Sequence, residues 1–236
     1  ILKDSGHLQE KDAEYANRKG FSKHKPALPL YTVQDAERAL KQFSNVPFGK
    51  PTSLPDGATL TFRYAGHILG AATAQIDWGG KRIVFSGDLG RYDDPMLFDP
   101  QPVTEADYVV IESTYGNRTH SPRDAAEALG AVIEKTVGRG GTVVIPAFAV
   151  GRAQLLLYYV WKLRQAGRLG SAPIFLDSPM AINASRLLCD HLADHRLPAE
   201  TCHGACGIAT YIREVEESKR ITASRFPKVC LLYTSD

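Results

Sequence analysis

Thr142-Val-Val-Ile-Pro-Ala-Phe-Ala-Val-Gly-Arg152 is the stretch that decides the fold, because it passes from an apolar strand through a turn into a helix. The continuous apolar run over residues 142–146 is typical of a strand that is buried on both faces of a parallel sheet. A helix is predicted from about Arg152 to Ala166, with Gly167 as its C-cap. A strand followed at once by a helix is half of a parallel β-α-β unit.

The same alternation occurs on both sides of this stretch. Tyr108-Val-Val-Ile111 is another apolar run, and Ser121 is predicted to cap the helix that follows it. Pro173-Ile-Phe-Leu-Asp177 is a third run, followed by a helix that Ser178 is predicted to cap. Strand–helix pairs in succession predict an α/β protein with a parallel, Rossmann-like sheet.

The part of the chain before residue 107 has a different pattern. Thr32-Val-Gln-Asp35 predicts a capping box at the start of an amphipathic helix over residues 32–44. Alternating residues then predict short strands at Thr59–Tyr64, at 73–78 and at Lys81–Phe85, with a glycine turn before the last one. This order predicts a β-meander whose loops are free to carry functional residues.

Composition limits the class of protein. The chain has 236 residues, of which 44% are hydrophobic and 23% charged, as in a soluble globular protein. Its apolar runs are too short to span a bilayer and no signal peptide is visible, so no membrane partner is expected. The formal net charge is only +2, so any nucleic-acid binding must depend on a local site.

The chain contains four cysteines, at Cys189, Cys202, Cys206 and Cys230. They are too few for a disulfide scaffold in a chain of this length, and a reducing, cytoplasmic setting is expected. A zinc knuckle made by Cys202-His203-Gly-Ala-Cys206 with Cys189 or His191 is an alternative to simple buried thiols. The paired C-x-x-C spacing typical of such knuckles is absent, which favours buried thiols.

Two polar residues follow strands of the predicted meander. Ala65-Gly-His67-Ile-Leu-Gly70 places a histidine among small residues, and Ser86-Gly-Asp88-Leu-Gly-Arg91 places an aspartate after the next strand but one. Imidazole and carboxylate are ligands of Zn²⁺, and a carboxylate can bridge two ions. Alone, His67 is compatible with a structural histidine and Asp88 with a plain turn. Together they suggest part of a two-metal hydrolase site that needs further ligands.

Three more residues follow the apolar strands. Glu112 is either a solvated carboxylate or an acid that orients a ligand histidine or relays a proton. Arg152, at an amide-rich helix start, favours a bound phosphate, with an ion pair as an equal alternative. Ser178 is more simply a helix cap, although two helix N-termini side by side would form a surface for phosphates.

These segments in this order resemble the β-CASP branch of the metallo-β-lactamase superfamily, which includes bacterial and archaeal RNA-processing ribonucleases. Residues 65–70 look like the third metal motif of that family, and residues 85–90 look like the fourth. Residues 112–116 look like its motif A, while residues 146–152 and 177–181 look like signatures of the inserted β-CASP domain. The combination is specific to the family.

The resemblance covers the chain to about residue 228. It implies a partial metallo-β-lactamase αββα fold over residues 1–115, followed by a partial Rossmann-like β-CASP domain over residues 116–236. The intact protein would hydrolyse RNA phosphodiester bonds with two zinc ions, with RNA as its partner and homodimer formation left open. The alternatives are a DNA nuclease, another hydrolase of this fold, or a truncated module without catalysis.

The resemblance also implies roles for single residues. His67 would ligate one zinc ion and Asp88 would bridge both, while Glu112 would be the catalytic acid that orients a ligand or relays a proton. Arg152 and Ser178 would hold the RNA phosphates. The family's H-x-H-x-D-H motif is expected before the start of the chain, and its later histidine motifs after residue 228.

We therefore expect a fragment with an incomplete metal site that is inactive alone. Residues 229–236 are interpreted as a non-native tail.

Overall fold

The computed structural model describes residues 1–119 and 121–233. The chain divides into two compact units, residues 1–47 and residues 48–236. The boundary predicted near residue 115 lies inside the second unit and stays a prediction. Among the described residues, none of the helices has both the length and the apolar character that crossing a membrane requires.

The first unit contains two helices, α1 (Leu2–Lys19) and α2 (Val33–Leu40), which pack against each other. The capping box predicted at the start of α2 is present. The Thr32 hydroxyl accepts the Asp35 N–H at 3.2 Å, and the Asp35 carboxylate accepts the Thr32 N–H at 2.9 Å. This reciprocal pairing satisfies two backbone donors that the first turn of a helix leaves open.

Helix α2 is shorter than the predicted helix over residues 32–44. The chain tightens into a turn after its end, where the Gln42 N–H donates to the Ala39 carbonyl at 2.9 Å. Phe43, which a helix continued to residue 44 would place on its apolar face, is 67% exposed. Without a surface that buries Phe43, periodicity alone does not extend the helix.

The second unit begins with a five-stranded sheet in the order β1-β2-β3-β4-β5. Its strands are β1 (Thr52–Ser53), β2 (Thr59–Tyr64), β3 (Ala72–Trp78), β4 (Lys81–Phe85) and β5 (Tyr108–Val110). Strands β2 to β4 form the predicted antiparallel meander, closed by positive-φ glycines at Gly79 and Gly80. Strand β5 pairs with β4 in parallel, so the segments that follow these two strands leave the same edge of the sheet.

Strand β5 corrects one prediction. Residues 108–111 were expected in the parallel Rossmann-like sheet, but β5 is the edge strand of the meander sheet. Its three residues, Tyr108, Val109 and Val110, are each more than half exposed, at 59%, 60% and 53%. An apolar run does not specify which sheet a strand joins, because periodicity carries no information on its pairing partner.

The second sheet is parallel throughout and has the order β6-β9-β7-β8. Its strands are β6 (Thr142–Ala147), β7 (Ile174–Asp177), β8 (Thr210–Ile212) and β9 (Lys228–Tyr233). The helices of this region are α3 (Ala125–Gly138), α4 (Arg152–Gln165), α5 (Pro179–Asp190), α6 (Ala199–Cys206) and α7 (Val215–Ala223). The predicted α/β class and parallel sheet are therefore confirmed.

Helix α3 begins later than predicted. Asp124, not Ser121, is its N-cap, and the Asp124 carboxylate accepts the Glu127 N–H at 3.0 Å. The Ser121 hydroxyl instead accepts the Arg123 N–H at 3.3 Å in the turn before the helix. Both residue types cap helices well, so the sequence alone did not decide between them.

The core of the second sheet lies between the strands and helices α3, α4 and α5. Its fully buried members include Ile133, Leu157, Val160, Ile182, Val229 and Leu231. Strand β9 contributes two of these side chains and lies between β6 and β7. It therefore occupies a central position in the sheet. Residues 234–236 of the expected tail lie outside the described residues, and its non-native origin stays a prediction.

Candidate metal and phosphate site

The loop between β2 and β3 carries His67. Its backbone turns tightly, with the Ala65 N–H donating to the Ala71 carbonyl at 3.0 Å and the Ala71 N–H donating to the Ile68 carbonyl at 3.0 Å. Gly66 has φ of 68°, a conformation that glycine adopts without strain. Ala65 is fully buried, while the imidazole of His67 is exposed. A fixed backbone thus presents a ring to solvent.

The loop after β4 carries Asp88 and lies directly on the His67 loop. The Gly90 N–H donates to the Ala65 carbonyl at 2.7 Å. A Cβ added at Gly90 would overlap the carbonyl group of Gly66 and lie 2.7 Å from the His67 nitrogen. The two loops are therefore in backbone contact, and both His67 and Asp88 have exposed side chains.

Glu112 holds the Asp88 loop in place. Its carboxylate accepts the Leu89 N–H at 2.6 Å, and its own N–H donates to the Ser86 hydroxyl at 3.0 Å. The Leu89 N–H, the Thr114 hydroxyl and, more weakly, the charge of His67 hold the pKa of Glu112 below its ordinary range. Glu112 is consequently an anion near His67 that fixes the backbone beside Asp88.

The turn from β6 into α4 also reaches the His67 loop. Gly151 has φ of 81°, and a Cβ added there would lie 2.7 Å from the Cγ2 of Ile68. Arg152 is the first residue of α4, and its side chain is exposed. The structure thus brings His67, Asp88 and Arg152 onto three adjoining loops.

Gln154 is a positioning residue that was not singled out from the sequence. It is 5% exposed, and its carbonyl oxygen accepts the Gly151 N–H at 2.7 Å. Its amide group donates to the Ala149 carbonyl and the Ser185 hydroxyl, each at 3.0 Å. The sequence does contain a signal for this role: a glutamine at the third position of a helix can accept the backbone N–H of the cap residue.

Ser178 has the capping role that was the simpler interpretation. Its hydroxyl accepts the Ala181 N–H at 3.1 Å at the start of α5, and the residue is 3% exposed. Because α5 follows β7, its N-terminus leaves the same edge of the parallel sheet as that of α4. A contact between Ser178 and RNA stays a prediction.

The donor types at His67 and Asp88 fit zinc as part of a site, since Zn²⁺ binds imidazole and carboxylate. Among the described residues, no third histidine, cysteine or carboxylate joins these two in a cluster of metal-ligand size. A stable zinc site needs three or four protein ligands. A metal site at His67 and Asp88 therefore stays a prediction, and it would need further ligands.

A meander sheet with an imidazole and a carboxylate on adjoining loops, followed by a parallel sheet, defines an α/β protein of the metallo-β-lactamase type. A model of the Beta-Casp domain matches residues 153–235. This match and the relatives below confirm the resemblance to the β-CASP family that the sequence motifs predicted.

The chain is similar to several named proteins. It is 40% identical over 154 residues to "Ribonuclease TTHA0252" of Thermus thermophilus. That alignment covers 65% of this chain and 35% of the relative. The chain is 36% identical over 159 residues to "Endoribonuclease YSH1" of Eremothecium gossypii, covering 64% of this chain and 20% of that protein. The "Cleavage and polyadenylation specificity factor subunit 3" of Dictyostelium discoideum is 34% identical over 155 residues, with coverage of 64% and 20%. The chain thus spans about a third or less of these relatives.

Proposed function

We propose that the protein that carries this chain hydrolyses RNA phosphodiester bonds. The observation that carries the proposal is the meeting of three loops: the Gly90 backbone lies on Gly66, and Gly151 lies on Ile68. These contacts bring together the loops that carry His67 and Asp88, the proposed metal ligands, and the turn that leads to Arg152. Relatives named ribonuclease and endoribonuclease support RNA as the substrate class.

Zinc is the proposed metal, held by His67 and Asp88 together with ligands from outside the described residues. When bound, zinc supplies Lewis acidity that polarises the scissile phosphate and activates water. Asp88 would supply a carboxylate, a group that can bind one or two such ions. Glu112 keeps the Asp88 loop in one conformation through its bond to the Leu89 N–H, and its negative charge attracts a cation bound nearby.

The phosphate-binding part of the proposal rests on Arg152 and the start of α4. A guanidinium can bind a phosphate through two parallel hydrogen bonds, and free N–H groups at a helix N-terminus favour anions. Ser178 and the start of α5 extend the same edge of the sheet by one strand–helix unit. With a net charge of +2, the chain depends on such local contacts rather than on a broad basic surface.

The division into a metallo-β-lactamase part before residue 115 and a β-CASP part after it belongs to the same proposal, as does a cytoplasmic setting. All four cysteines are free thiols, as a reducing compartment requires. Residues 1–236 alone are proposed to bind catalytic zinc weakly and to lack turnover. The reason is that His67 and Asp88 are only two of the ligands that zinc needs.

The test compares zinc-dependent hydrolysis of labelled RNA, labelled DNA and a chromogenic lactam by the complete polypeptide that carries this chain. Faster cleavage of RNA is expected, and variants His67→Ala and Asp88→Asn should abolish it. His203→Ala, an exposed histidine on α6, is the matched control and should retain full activity. Faster cleavage of DNA or of the lactam would overturn the proposed substrate, and tight zinc with turnover by residues 1–236 would overturn the proposed inactivity.

A further inference from the structure

Three cysteine thiols meet between α5 and α6, outside the site described above. The thiol cluster consists of Cys189 near the end of α5 and of Cys202 and Cys206 on α6. Cys202 and Cys206 are four residues apart, so they share one face of their helix. The Cys189 Sγ lies 3.2 Å from the Cys202 Sγ and 2.9 Å from the Cys206 Sγ. Among the described residues, this is the group of potential metal ligands that lies within coordination size.

The cluster is enclosed by apolar side chains. Cys202 is fully buried, and Leu188, Leu197 and Met96 pack around it in a small core of their own. The thiols find few partners beyond each other: the Cys206 Sγ donates to the Ser185 carbonyl at 3.4 Å. Three sulfur atoms are thus concentrated at one point of a core that leucine side chains otherwise fill.

The spacing of the sulfurs suits a metal ion after a small expansion. Zinc–sulfur bonds of about 2.3 Å in a tetrahedral site place thiolates roughly 3.8 Å apart. The Cys189 sulfur would have to move away from the sulfurs of Cys202 and Cys206 by less than about 1 Å to reach that spacing. Helix α5 ends one residue after Cys189, at Asp190, so Cys189 lies in its last turn.

His195 is the nearest further donor. Its Nε2 lies 3.8 Å from the Cys202 Sγ, and the residue is 3% exposed. The His195 Nδ1 accepts the Leu197 N–H at 3.2 Å, so the neutral ring carries its proton on Nε2, which faces the Leu188 carbonyl at 3.0 Å. Ligation by Nε2 would require this proton to move. His191 and His203, the other histidines of the predicted knuckle, are exposed.

We propose that Cys189, Cys202 and Cys206 bind one thiophilic metal ion, with Zn²⁺ as the ion and His195 as the nearest candidate for the fourth ligand. Sulfur ligands favour such soft ions, and a Cys₃His set is typical of a closed structural zinc site. The ion ties α5 to α6 across the segment that links them. The site does not depend on the proposed catalytic function, because it uses other residues.

Binding converts thiols into thiolates and releases their protons to solvent. Burial, the largest cause, raises the pKa of Cys202 and of Cys206, so both thiols carry protons when no ion is present. The charge of the ion replaces those protons as the partner of the sulfurs. No redox step is involved.

The test loads residues 1–236 with Co²⁺ as a spectroscopic substitute for Zn²⁺ and measures the sulfur-to-cobalt charge-transfer absorption. One ion per chain with this signature is expected. The variants Cys189→Ser, Cys202→Ser and Cys206→Ser should each lower the affinity at least about tenfold, since even changes outside the ligand shell cost that much. Cys230→Ser, another buried cysteine in a different core cluster, is the matched control and should bind as the unaltered chain does.

A second measurement uses the unaltered chain, so its result does not depend on whether the serine variants fold. In the unaltered chain, Zn²⁺ should block alkylation of Cys189, Cys202 and Cys206, and a chelator should restore it, while Cys230 responds to neither. His67→Ala should leave all these results unchanged, which separates this site from the catalytic one. Absence of the sulfur signature, equal binding by the three serine variants, or a disulfide among the three cysteines would overturn the proposal.

Discussion

The backbone of Gly90 lies directly on the backbone of Gly66, so that a single added carbon at Gly90 would overlap the Gly66 carbonyl. The Gly90 N–H also bonds the neighbouring Ala65 carbonyl at 2.7 Å. This contact places the Asp88 loop against the His67 loop. Only glycine permits it, because any Cβ at residue 90 needs the space that the other loop occupies.

Gly90→Ala should therefore separate the two loops. We expect a loss of about 1–3 kcal/mol in the free energy of unfolding, the range for added atoms in a packed site, and at least tenfold lower activity of the complete protein. Denaturant unfolding and RNA cleavage check the two parts. Gly138→Ala is the control: its Cβ would meet nothing within 4 Å, at the end of α3. It should be neutral or stabilise by up to about 1 kcal/mol. Equal effects of the two substitutions would contradict the role of the contact.

Gln154→Ala should destabilise the turn that carries Arg152. The substitution removes an acceptor for the Gly151 N–H and a donor to Ala149 and Ser185 at a buried position. A buried group left without its partner costs about 1–3 kcal/mol, measurable by denaturant unfolding. Gln165→Ala, an exposed glutamine on the same helix, should change stability by less than about 0.5 kcal/mol. A Gln154 variant as stable as the Gln165 variant would show that these bonds contribute nothing.

Glu112→Gln should cost stability near neutral pH and progressively less in acid. The pKa of Glu112 is lowered in the folded chain from its ordinary value of 4.5. A carboxyl group whose pKa is lowered by folding stabilises the folded state fully above about pH 4.5. This stabilisation is lost as the pH falls through the pKa of the group in the folded state. The difference in unfolding free energy between the unaltered chain and this variant should thus shrink from pH 7 towards pH 3. Ser113→Ala, at the next residue, should show a difference that does not depend on pH. A constant difference for Glu112→Gln would contradict the assignment.

Arg152→Ala should weaken binding of single-stranded RNA by the complete protein and lower its dependence on salt. Loss of one phosphate contact reduces the slope of log affinity against log salt by about 0.7–1. Binding at several salt concentrations, in an Asp88→Asn background that prevents cleavage, measures the slope. Arg139→Ala is the control, because Arg139 precedes β6 and lies at the opposite edge of the sheet from Arg152. An unchanged slope in the Arg152 variant would leave the arginine with a structural role only.

Local patterns predicted much of the fold. The capping box at Thr32, the glycine turn of the meander and the Ser178 cap of α5 depend on residues three or fewer positions apart, and the structure contains all of them. The prediction that Ser121 caps α3 was wrong, because Asp124 is the cap. Serine and aspartate have similar capping strength, so neighbouring residues of these types compete for the position. The prediction that residues 108–110 join the parallel sheet was wrong as well, because strand pairing brings together residues far apart in the chain.

The sequence by itself determined the alternation of strands and helices, the family motifs, and the identities of His67, Asp88 and Arg152 as candidate site residues. Those features are local or are carried by the order of residues. Only the tertiary structure decided that the loops of Gly66, Gly90 and Gly151 touch, that Gln154 links α4 to α5, and that Cys189 meets Cys202 and Cys206. Such contacts depend on how separate elements pack, and packing is set by the combined burial of many side chains rather than by any short pattern.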